Sequence, residues 1–389
     1  MIRTSIFALA MALGGVAFAA QGQAQTKPEL VYFGTHTVTA AQVPAGQALP
    51  DPGIYGAWFD PETGHFTPLG RVIDITAPTW LTADAKRPIL YSVTSGPAGS
   101  QNLISLAADA KTGSLSVTSR SASGGGDATY LDLDAASHSL FTANYATGQV
   151  SVLPVGADGQ LGAMSSIQSD SGTGPSPRQA SPHAHSAVLD PSGHYVLVGD
   201  LGADRVFVYA FDAKTRQLTP AATPYEATPP GSGPRHLVFH PNEKLVFLVS
   251  ELSAEVRSYK WDAIAGRLQL LQTLPLAAPD FQGKKSGGEI ALSDDGRFLY
   301  VSERGESQVI VYAVDAATGQ LSEVQRVAAQ GNSPWHFAFD PSRQWLLVAD
   351  EASSLITTFK VDKASGKLTP STETLSVPHP VNVTFVPTP

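Results

Sequence analysis

The sequence has no cysteine and little charge, and both absences restrict what the protein does. Without cysteine, its 389 residues form no disulfides, thiolate nucleophiles or zinc-finger sites. The 25 Lys and Arg residues are outnumbered by 34 Asp and Glu, so there is no basic surplus for a nucleic-acid partner. Capped helical patterns, phosphate-binding glycine loops and the Gly-x-Ser-x-Gly elbow are also missing. The 35 glycines and 29 prolines instead predict many turns.

The first 24 residues have the pattern of an export signal. Arg3 gives a charged start, Ile6 to Leu13 form an apolar stretch, and Ala17-Phe18-Ala19 is a small-x-small cleavage pattern. The apolar stretch is shorter than the about 20 residues that a membrane-spanning helix needs. We therefore expect residues 1–24 to be removed, and residues 25–389 to form one domain that is periplasmic or secreted and has no membrane anchor.

A turn of the form Asp-x-x-x-Gly-x-Leu recurs along the chain and predicts the fold. Its copies lie 47 to 54 residues apart, a spacing typical of propellers, solenoids and other repeat proteins. Between the copies, short β-branched and aromatic runs predict four strands per repeat and no helices. Seven repeats of four strands predict an all-β, seven-bladed β-propeller; a stacked β-solenoid usually has shorter repeats. The copies begin at Asp60, Asp109, Asp158, Asp212, Asp262, Asp315 and Asp362.

The two chain ends are predicted to complete one blade together. Pro380 to Val386 matches the first strand of a repeat, after which the chain stops. Leu30 to Gly34 matches a second strand that has no first strand before it. Pairing these two segments would close the ring and remove its free edges. Because a closed ring needs no partner, we expect a monomer.

A hairpin with polar ends recurs four times and predicts where a site would lie. It spans Ser181–Asp200, Pro234–Glu251, Gly288–Arg304 and Pro334–Glu351. In a propeller blade, the start of the innermost strand and the end of the second strand share one rim of the central channel. Lone acids at strand ends often only cap turns, whereas an arginine at a narrow channel needs an anionic partner. The candidate residues on this rim are Arg178, Gln179, His183, His185, Arg235, His236, Glu251, Glu303, Arg304, Trp335 and His336.

His183 and His185 are two residues apart, so on a regular strand they would point to the same face. Histidine is the natural general base near neutral pH, and we expect at least one of the two to reach the channel. A metal site would need a third ligand beside this pair, such as Glu251 or Asp200, and no spacing motif supplies one. We therefore expect no metal and no cofactor.

Several segments resemble the lactonase family of seven-bladed propellers, which includes propeller-type 6-phosphogluconolactonases and fungal carboxymuconate cyclases. The similar segments are GIYGAWFDPETG, SPHAHSAVLDPSG, GPRHLVFHPNEKLVFLVSE and DDGRFLYVSERG. The resemblance covers nearly all of residues 25–389 and implies a metal-free enzyme that acts on a small-molecule lactone or related organic acid. It places the family site on His183, His185, Arg235, Glu251 and Arg304, with Arg178 and Gln179 at its edge.

The chain departs from the family pattern at four places. Glu303 replaces an asparagine, Ala291 a histidine and Asn382 a cysteine, and Trp335-His336 stands where the family has Arg-Asn. The site thus has one arginine and one histidine fewer and one carboxylate more than the family pattern, which disfavours binding of a doubly charged phosphate ester. We expect the lactone chemistry to be kept and the phosphate specificity to be lost.

Three functions remain open on the sequence. In a lactone hydrolase, His183 or His185 would activate water, and Arg235 or Arg304 would stabilise the oxyanion while Glu251 orients either group. A carboxymuconate cyclase-like enzyme would use the same histidine to donate a proton as it forms a lactone from an unsaturated diacid. A non-catalytic exported propeller would present the same rim to a protein or glycan.

Overall fold

The computed structural model describes residues 27–38 and 49–388, which form 28 strands. The predicted export signal lies outside the described residues. In chain order the strands are β1 (Glu29–Thr35), β2 (Ile54–Phe59), β3 (Phe66–Ile73), β4 (Leu81–Ala83), β5 (Ile89–Val93), β6 (Leu103–Ala108), β7 (Leu115–Ser121), β8 (Ala128–Asp134), β9 (Ser139–Asn144), β10 (Gln149–Pro154), β11 (Ser166–Ser169), β12 (Ala184–Leu189), β13 (Tyr195–Asp200), β14 (Arg205–Asp212), β15 (Gln217–Ala227), β16 (Pro234–Phe239), β17 (Leu245–Ser250), β18 (Glu255–Asp262), β19 (Arg267–Pro275), β20 (Gly287–Leu292), β21 (Phe298–Glu303), β22 (Gln308–Val314), β23 (Leu321–Ala328), β24 (Pro334–Phe339), β25 (Trp345–Asp350), β26 (Leu355–Val361), β27 (Leu368–Ser376) and β28 (Pro380–Val386). Two 3-10 helices, Pro177–Gln179 and Glu351–Ser353, lie in loops.

Across the described ranges the strands form seven antiparallel sheets of four, the blades of a propeller. Six blades use consecutive strands: β4–β7, β8–β11, β12–β15, β16–β19, β20–β23 and β24–β27. The seventh has the order β28-β1-β2-β3, with Leu30 opposite Val386 and Phe33 opposite Val383. The seven-bladed fold and its closure by both chain ends are confirmed.

The repeating turns join the third and fourth strands of the blades. In each fully formed copy the aspartate accepts hydrogen bonds from backbone N–H groups two or three residues later, as Asp109 does from Lys111 and Thr112. The glycine that follows is left-handed, with φ of 79° at Gly64. A Cβ on Gly64 would lie 2.6 Å from the Trp345 ring of the next blade. The motif therefore recurs because it both reverses the chain and lets blades pack closely.

The apolar core lies between neighbouring blades. One cluster joins Phe141 and Val150 of one blade to Val198 and Phe207 of the next. Middle strands such as β9 are buried along their whole length because another blade covers each face. Outer strands such as β3 begin with a buried residue and are then half-buried or exposed. No helix among the described residues is long and apolar enough to cross a membrane.

A buried carboxyl pair joins two blades behind the channel. Asp170 accepts a hydrogen bond from the Tyr209 hydroxyl at 2.5 Å and also approaches the Asp200 carboxylate, which is fully buried. Burial and the charge of Asp200 hold the pKa of the Asp170 carboxyl well above its usual range. This pairing is stable because one of the two carboxyls keeps its proton.

We predict that the free energy of unfolding of the Asp170→Asn variant, taken relative to that of the wild type, increases as the pH rises from 5 to 9. A raised folded-state pKa adds stability that is complete below the ordinary carboxyl pKa and is lost as pH rises through the folded pKa. Asparagine keeps both hydrogen bonds without titrating. Urea unfolding across this pH range measures the difference, and the exposed turn variant Asp212→Asn is the control. If the difference in free energy of unfolding between the variant and the wild type did not change with pH, Asp170 and Asp200 would not share a proton.

Candidate active site

The inner strands of six blades contain a β-bulge near their start. The ladder shifts by one residue between Ala128 and Tyr130, Ala184 and Ser186, Pro234 and His236, Gly287 and Ile290, Pro334 and His336, and Pro380 and Asn382. A bulge re-aims the side chain of its extra residue. His185, Arg235 and Trp335 are such extra residues. Regular strand alternation therefore does not relate His183 to His185, because His183 precedes β12 and His185 lies on the bulge.

Glu251 is the centre of the candidate site. Its Oε1 accepts a hydrogen bond from Arg178 Nη1 at 2.6 Å. Its Oε2 lies 3.2 Å from Arg235 Nε and 2.9 Å from Arg304 Nη2. Burial alone would raise the pKa of Glu251, but Arg304, His185 and Arg235 hold it well below its usual range. One ionised carboxylate thus fixes three arginines.

Arg235 is fully enclosed by this arrangement. It is 2% exposed, and its Nη1 donates to the Gly288 carbonyl at 2.8 Å. Burial, followed by the charge of Arg304, lowers the pKa of Arg235 to about 10. It therefore remains a cation at neutral pH, with its donors directed at protein atoms.

Arg304 is held differently, between a carboxylate and an aromatic ring. Its guanidinium carbon lies 4.1 Å above the centre of the Trp335 ring, a cation–π contact. Its Nε is buried and has no hydrogen-bond partner within the part of the chain that the structure describes. Arg304 also lines the cleft, so its guanidinium can contact a ligand there.

His185 lies against Glu251 with one nitrogen uncommitted. Its Nε2 is 3.6 Å from Glu251 Oε2, while its buried Nδ1 has no partner among the described residues. Burial, followed by the charge of Arg235, lowers the pKa of His185. The imidazole is therefore neutral at pH 7 and has a lone pair available to accept a proton.

A second carboxylate lies deeper in the channel, between two histidines. Glu289 Oε1 is 3.0 Å from His236 Nδ1, and its Oε2 is 3.5 Å from His336 Nε2. His336 Nδ1 accepts the backbone N–H of Val383 at 3.2 Å, which leaves Nε2 to donate to Glu289. Burial lowers the pKa of His336 to about 4, and burial, followed by the charge of Arg235, lowers the pKa of His236 well below its usual value. This layer supports the floor of the site with neutral imidazoles.

Three of the predicted rim residues are used to hold loops. Gln179 is fully buried, and its amide nitrogen donates to the Leu201 carbonyl at 2.8 Å. Glu303 is also fully buried and accepts the backbone N–H groups of Ser286 and Glu306 at 2.7 and 2.6 Å. His183 Nδ1 lies 2.7 Å from the carbonyl of Tyr145, on whose ring it stacks. The structure thus places Gln179 and Glu303 away from the cleft.

The cleft has a volume of about 760 Å³ and lies over Glu251. Sequence reasoning missed part of its wall, because that wall comes from the irregular segment between β19 and β20. Tyr145, which follows β9 at a rim position expected from strand direction, also joins the cluster, and its hydroxyl accepts a hydrogen bond from Arg178 at 2.9 Å. The cleft is lined by Arg178, Glu251, Phe281, Gly283, Lys284, Ser286, Arg304, Gly305, Ser333 and Trp335.

Residues 31–385 match the model of a family described as "Lactonase, 7-bladed beta-propeller". The chain belongs to this family. It is 32% identical to a 6-phosphogluconolactonase of Bacillus subtilis, over 91% of this chain and 97% of the relative. It is 29% identical to a 6-phosphogluconolactonase of Formosa agariphila, over 82% of this chain and 91% of the relative.

Among solved structures, the periplasmic gluconolactonase of Pseudomonas aeruginosa has a similar fold. It superimposes with a TM-score of 0.84 at 36% identity, covering 93% of this chain and 99% of that chain. These relatives carry names of lactone hydrolases, which supports lactone hydrolysis for the family member described here. Their names differ in whether the lactone is phosphorylated.

We predict that Glu251→Gln lowers the free energy of unfolding by about 3–5 kcal/mol, the usual effect of removing one partner from a buried ion pair. Three cations would then lie together without their shared anion. Chemical unfolding at pH 7 measures the loss. The matched control is Glu323→Gln, which breaks the more exposed pair with Arg326 and should cost at most about 1 kcal/mol. An equal loss of unfolding free energy in the two variants would show that Glu251 does not stabilise the three arginines.

Proposed function

We propose that this protein is an exported lactone hydrolase whose chemistry takes place at the Glu251 cluster. The observation that carries the proposal is a neutral histidine with a free nitrogen and an arginine with a free donor, both held on one buried carboxylate beside an open cleft. A general base and an oxyanion-stabilising cation are the two groups that ester hydrolysis needs. The family match and the relatives' names support the same reaction class.

In the proposed reaction, His185 Nδ1 accepts a proton from water as the water oxygen bonds to the lactone carbonyl carbon. The carbonyl oxygen becomes an oxyanion, which Arg304 stabilises by a charge-assisted hydrogen bond. The ring C–O bond then breaks, and His185 returns the proton to the leaving alkoxide. The product is an open-chain hydroxy acid, and the imidazole ends neutral as it began.

His185 is favoured over His183 as the base because His183 already bonds the Tyr145 carbonyl and stacks on its ring. Arg304 is favoured over Arg235 because Arg235 is fully enclosed and donates to Glu251 and Gly288, whereas Arg304 keeps one nitrogen without a partner among the described residues. In this proposal Arg235 and Glu251 are positioning residues, and Arg178 and Trp335 contact the substrate. His236 and His336 support the floor.

The proposed substrate is an unphosphorylated aldonic acid lactone. Trp335 and Phe281 give the cleft an aromatic wall that suits the flat C–H face of a sugar ring, and Trp335 covers one face of the Arg304 guanidinium. A periplasmic gluconolactonase is among the similar structures. With the export pattern of residues 1–24, this supports a periplasmic location for residues 25–389. The ring closes within one chain, so we propose a monomer.

We predict that His185→Ala lowers kcat by about 10²- to 10⁴-fold, the usual contribution of a general base. His183→Ala should lower it far less, because His183 contacts a carbonyl outside the cleft. Proton release from gluconolactone, corrected for spontaneous hydrolysis, measures both variants, and their melting temperatures show that they are folded. Since the base acts when neutral and its pKa is lowered, the acid limb of the wild-type kcat profile should lie below about pH 6.5. Loss of activity in His183→Ala alone would reverse the assignment.

We also predict that kcat/KM for gluconolactone is at least equal to that for its 6-phosphate. The measurement is a panel of lactones tested on residues 25–389 with and without chelator. A strong preference for the phosphate would contradict the proposed substrate while keeping the reaction. Turnover of an unsaturated diacid without turnover of saturated lactones would favour the cyclase, and no turnover of either would favour a binding protein.

A further inference from the structure

Arg178 is the most exposed of the three arginines on Glu251, and it lies in a loop. Its side chain is 45% exposed, against 2% for Arg235 and 6% for Arg304. It belongs to the 3-10 helix Pro177–Gln179, in the connection between β11 and β12. A long, exposed side chain loses rotamer freedom when it is fixed, so its position depends on the groups that hold it.

The guanidinium of Arg178 is held at both of its terminal nitrogens. Nη1 donates to Glu251 Oε1 at 2.6 Å, and Nη2 donates to the Tyr145 hydroxyl at 2.9 Å. Burial lowers the pKa of Arg178, but the charge of Glu251 and the hydrogen bond to Tyr145 outweigh burial and raise the pKa above its usual value. Because a guanidinium is planar and rigid, bonds at two of its nitrogens fix its direction as well as its position. A bond to Glu251 alone would leave that direction open.

Tyr145 is itself fixed through its backbone and its ring. It follows β9, and its backbone N–H donates to the Asp127 carbonyl at 2.9 Å. Its own carbonyl lies 2.7 Å from His183 Nδ1, which must donate because a carbonyl only accepts. The Tyr145 ring stacks on the same imidazole, with centres 4.6 Å apart and planes at 17°. His183 therefore clamps Tyr145, which gives this histidine a role outside the chemical step.

The ring of Tyr145 also meets the proposed general base. The centres of the Tyr145 and His185 rings are 5.6 Å apart and their planes lie at 86°, an edge-to-face arrangement. His185 lies on the bulge of β12, outside the regular ladder, so the direction of its ring depends on the side chains packed against it. Tyr145 thus connects Arg178, which the substrate would contact, with His185, which would activate water.

We propose that Tyr145 is a positioning residue, which directs Arg178 at the substrate through its hydroxyl and orients His185 through its ring. The effect on catalysis rests on the proposed lactone hydrolysis, whereas the placement of Arg178 does not. Because Tyr145 acts through two different groups, its two contributions are separable. The hydroxyl contributes to substrate affinity through Arg178, and the ring contributes to kcat through His185.

The test compares Tyr145→Phe, which removes only the hydroxyl, with Tyr145→Leu, which also removes the ring. The matched control is Tyr195→Phe, because the Tyr195 hydroxyl donates to the exposed Ile264 carbonyl at 3.3 Å, at the end of β13 away from the rim. Arg178→Met, alone and combined with Tyr145→Phe, shows whether the hydroxyl acts through Arg178. The kcat and KM for gluconolactone and the melting temperature are measured for each variant. Crystal structures of the wild type and of Tyr145→Phe locate the Arg178 guanidinium.

Tyr145→Phe should raise KM about two- to tenfold, the usual effect of losing one hydrogen bond, and change kcat by less than about twofold. Tyr145→Leu should raise KM similarly and also lower kcat on the order of tenfold, since the base is then less well oriented. Tyr195→Phe should change neither constant. In the Arg178→Met background, Tyr145→Phe should not raise KM further, and in the Tyr145→Phe crystal the Arg178 guanidinium should be turned from its wild-type direction.

The proposal is overturned if KM is unchanged in Tyr145→Phe, rises equally in the Arg178→Met background, or rises while Arg178 stays in place. A kcat in Tyr145→Leu equal to that of Tyr145→Phe overturns the role of the ring. If the wild type hydrolyses no lactone but Arg178 turns in the Tyr145→Phe crystal, the positioning is supported and the proposed function is rejected.

Discussion

The pairing of β28 with β1 is the constraint on which the candidate site depends. Each blade buries both of its faces against neighbours, so an open ring would leave two apolar faces in water. Closure also sets the radius of the channel, and with it the distance between side chains on non-adjacent blades. Arg235 lies on the same blade as Glu251, Arg178 and Arg304 reach that carboxylate from the two flanking segments, and Trp335 approaches Arg235 from two blades away.

Within that ring, charge is concentrated in a few enclosed groups. Isolated burial of an arginine or a glutamate is costly, and the cost is offset here by one carboxylate shared among three cations. The deeper layer solves the same problem differently, since burial keeps His236 and His336 neutral beside Glu289. The site therefore has a cationic upper layer and a lower layer in which neutral imidazoles bond one carboxylate, although the chain as a whole has a net charge of −9.

The fold could be predicted from the sequence because its turns repeat at a near-constant spacing. Asp60 and its six counterparts mark the blades, and Pro380 to Val386 marks the shared blade. The contact between Arg235 and Glu251 could be predicted from strand direction, because the start of the innermost strand and the end of the second strand share one rim. Gln179 and Glu303 were expected at the rim but hold loops instead, since nearby backbone N–H or C=O groups needed partners. Lys284 and Phe281 lie on an irregular loop that has no repeating sequence pattern, so their positions in the cleft could not be predicted.

The bulges at the inner strands have a consequence for how such a protein changes over evolution. At each one, a single residue lies outside the hydrogen-bonded ladder, and its side chain is free to vary without disturbing strand register. Thr129, His185, Arg235 and Trp335 occupy equivalent places on four blades. The ring thus presents a set of interchangeable positions around one axis, so new ligand chemistry can arise by point substitution while the scaffold is left intact.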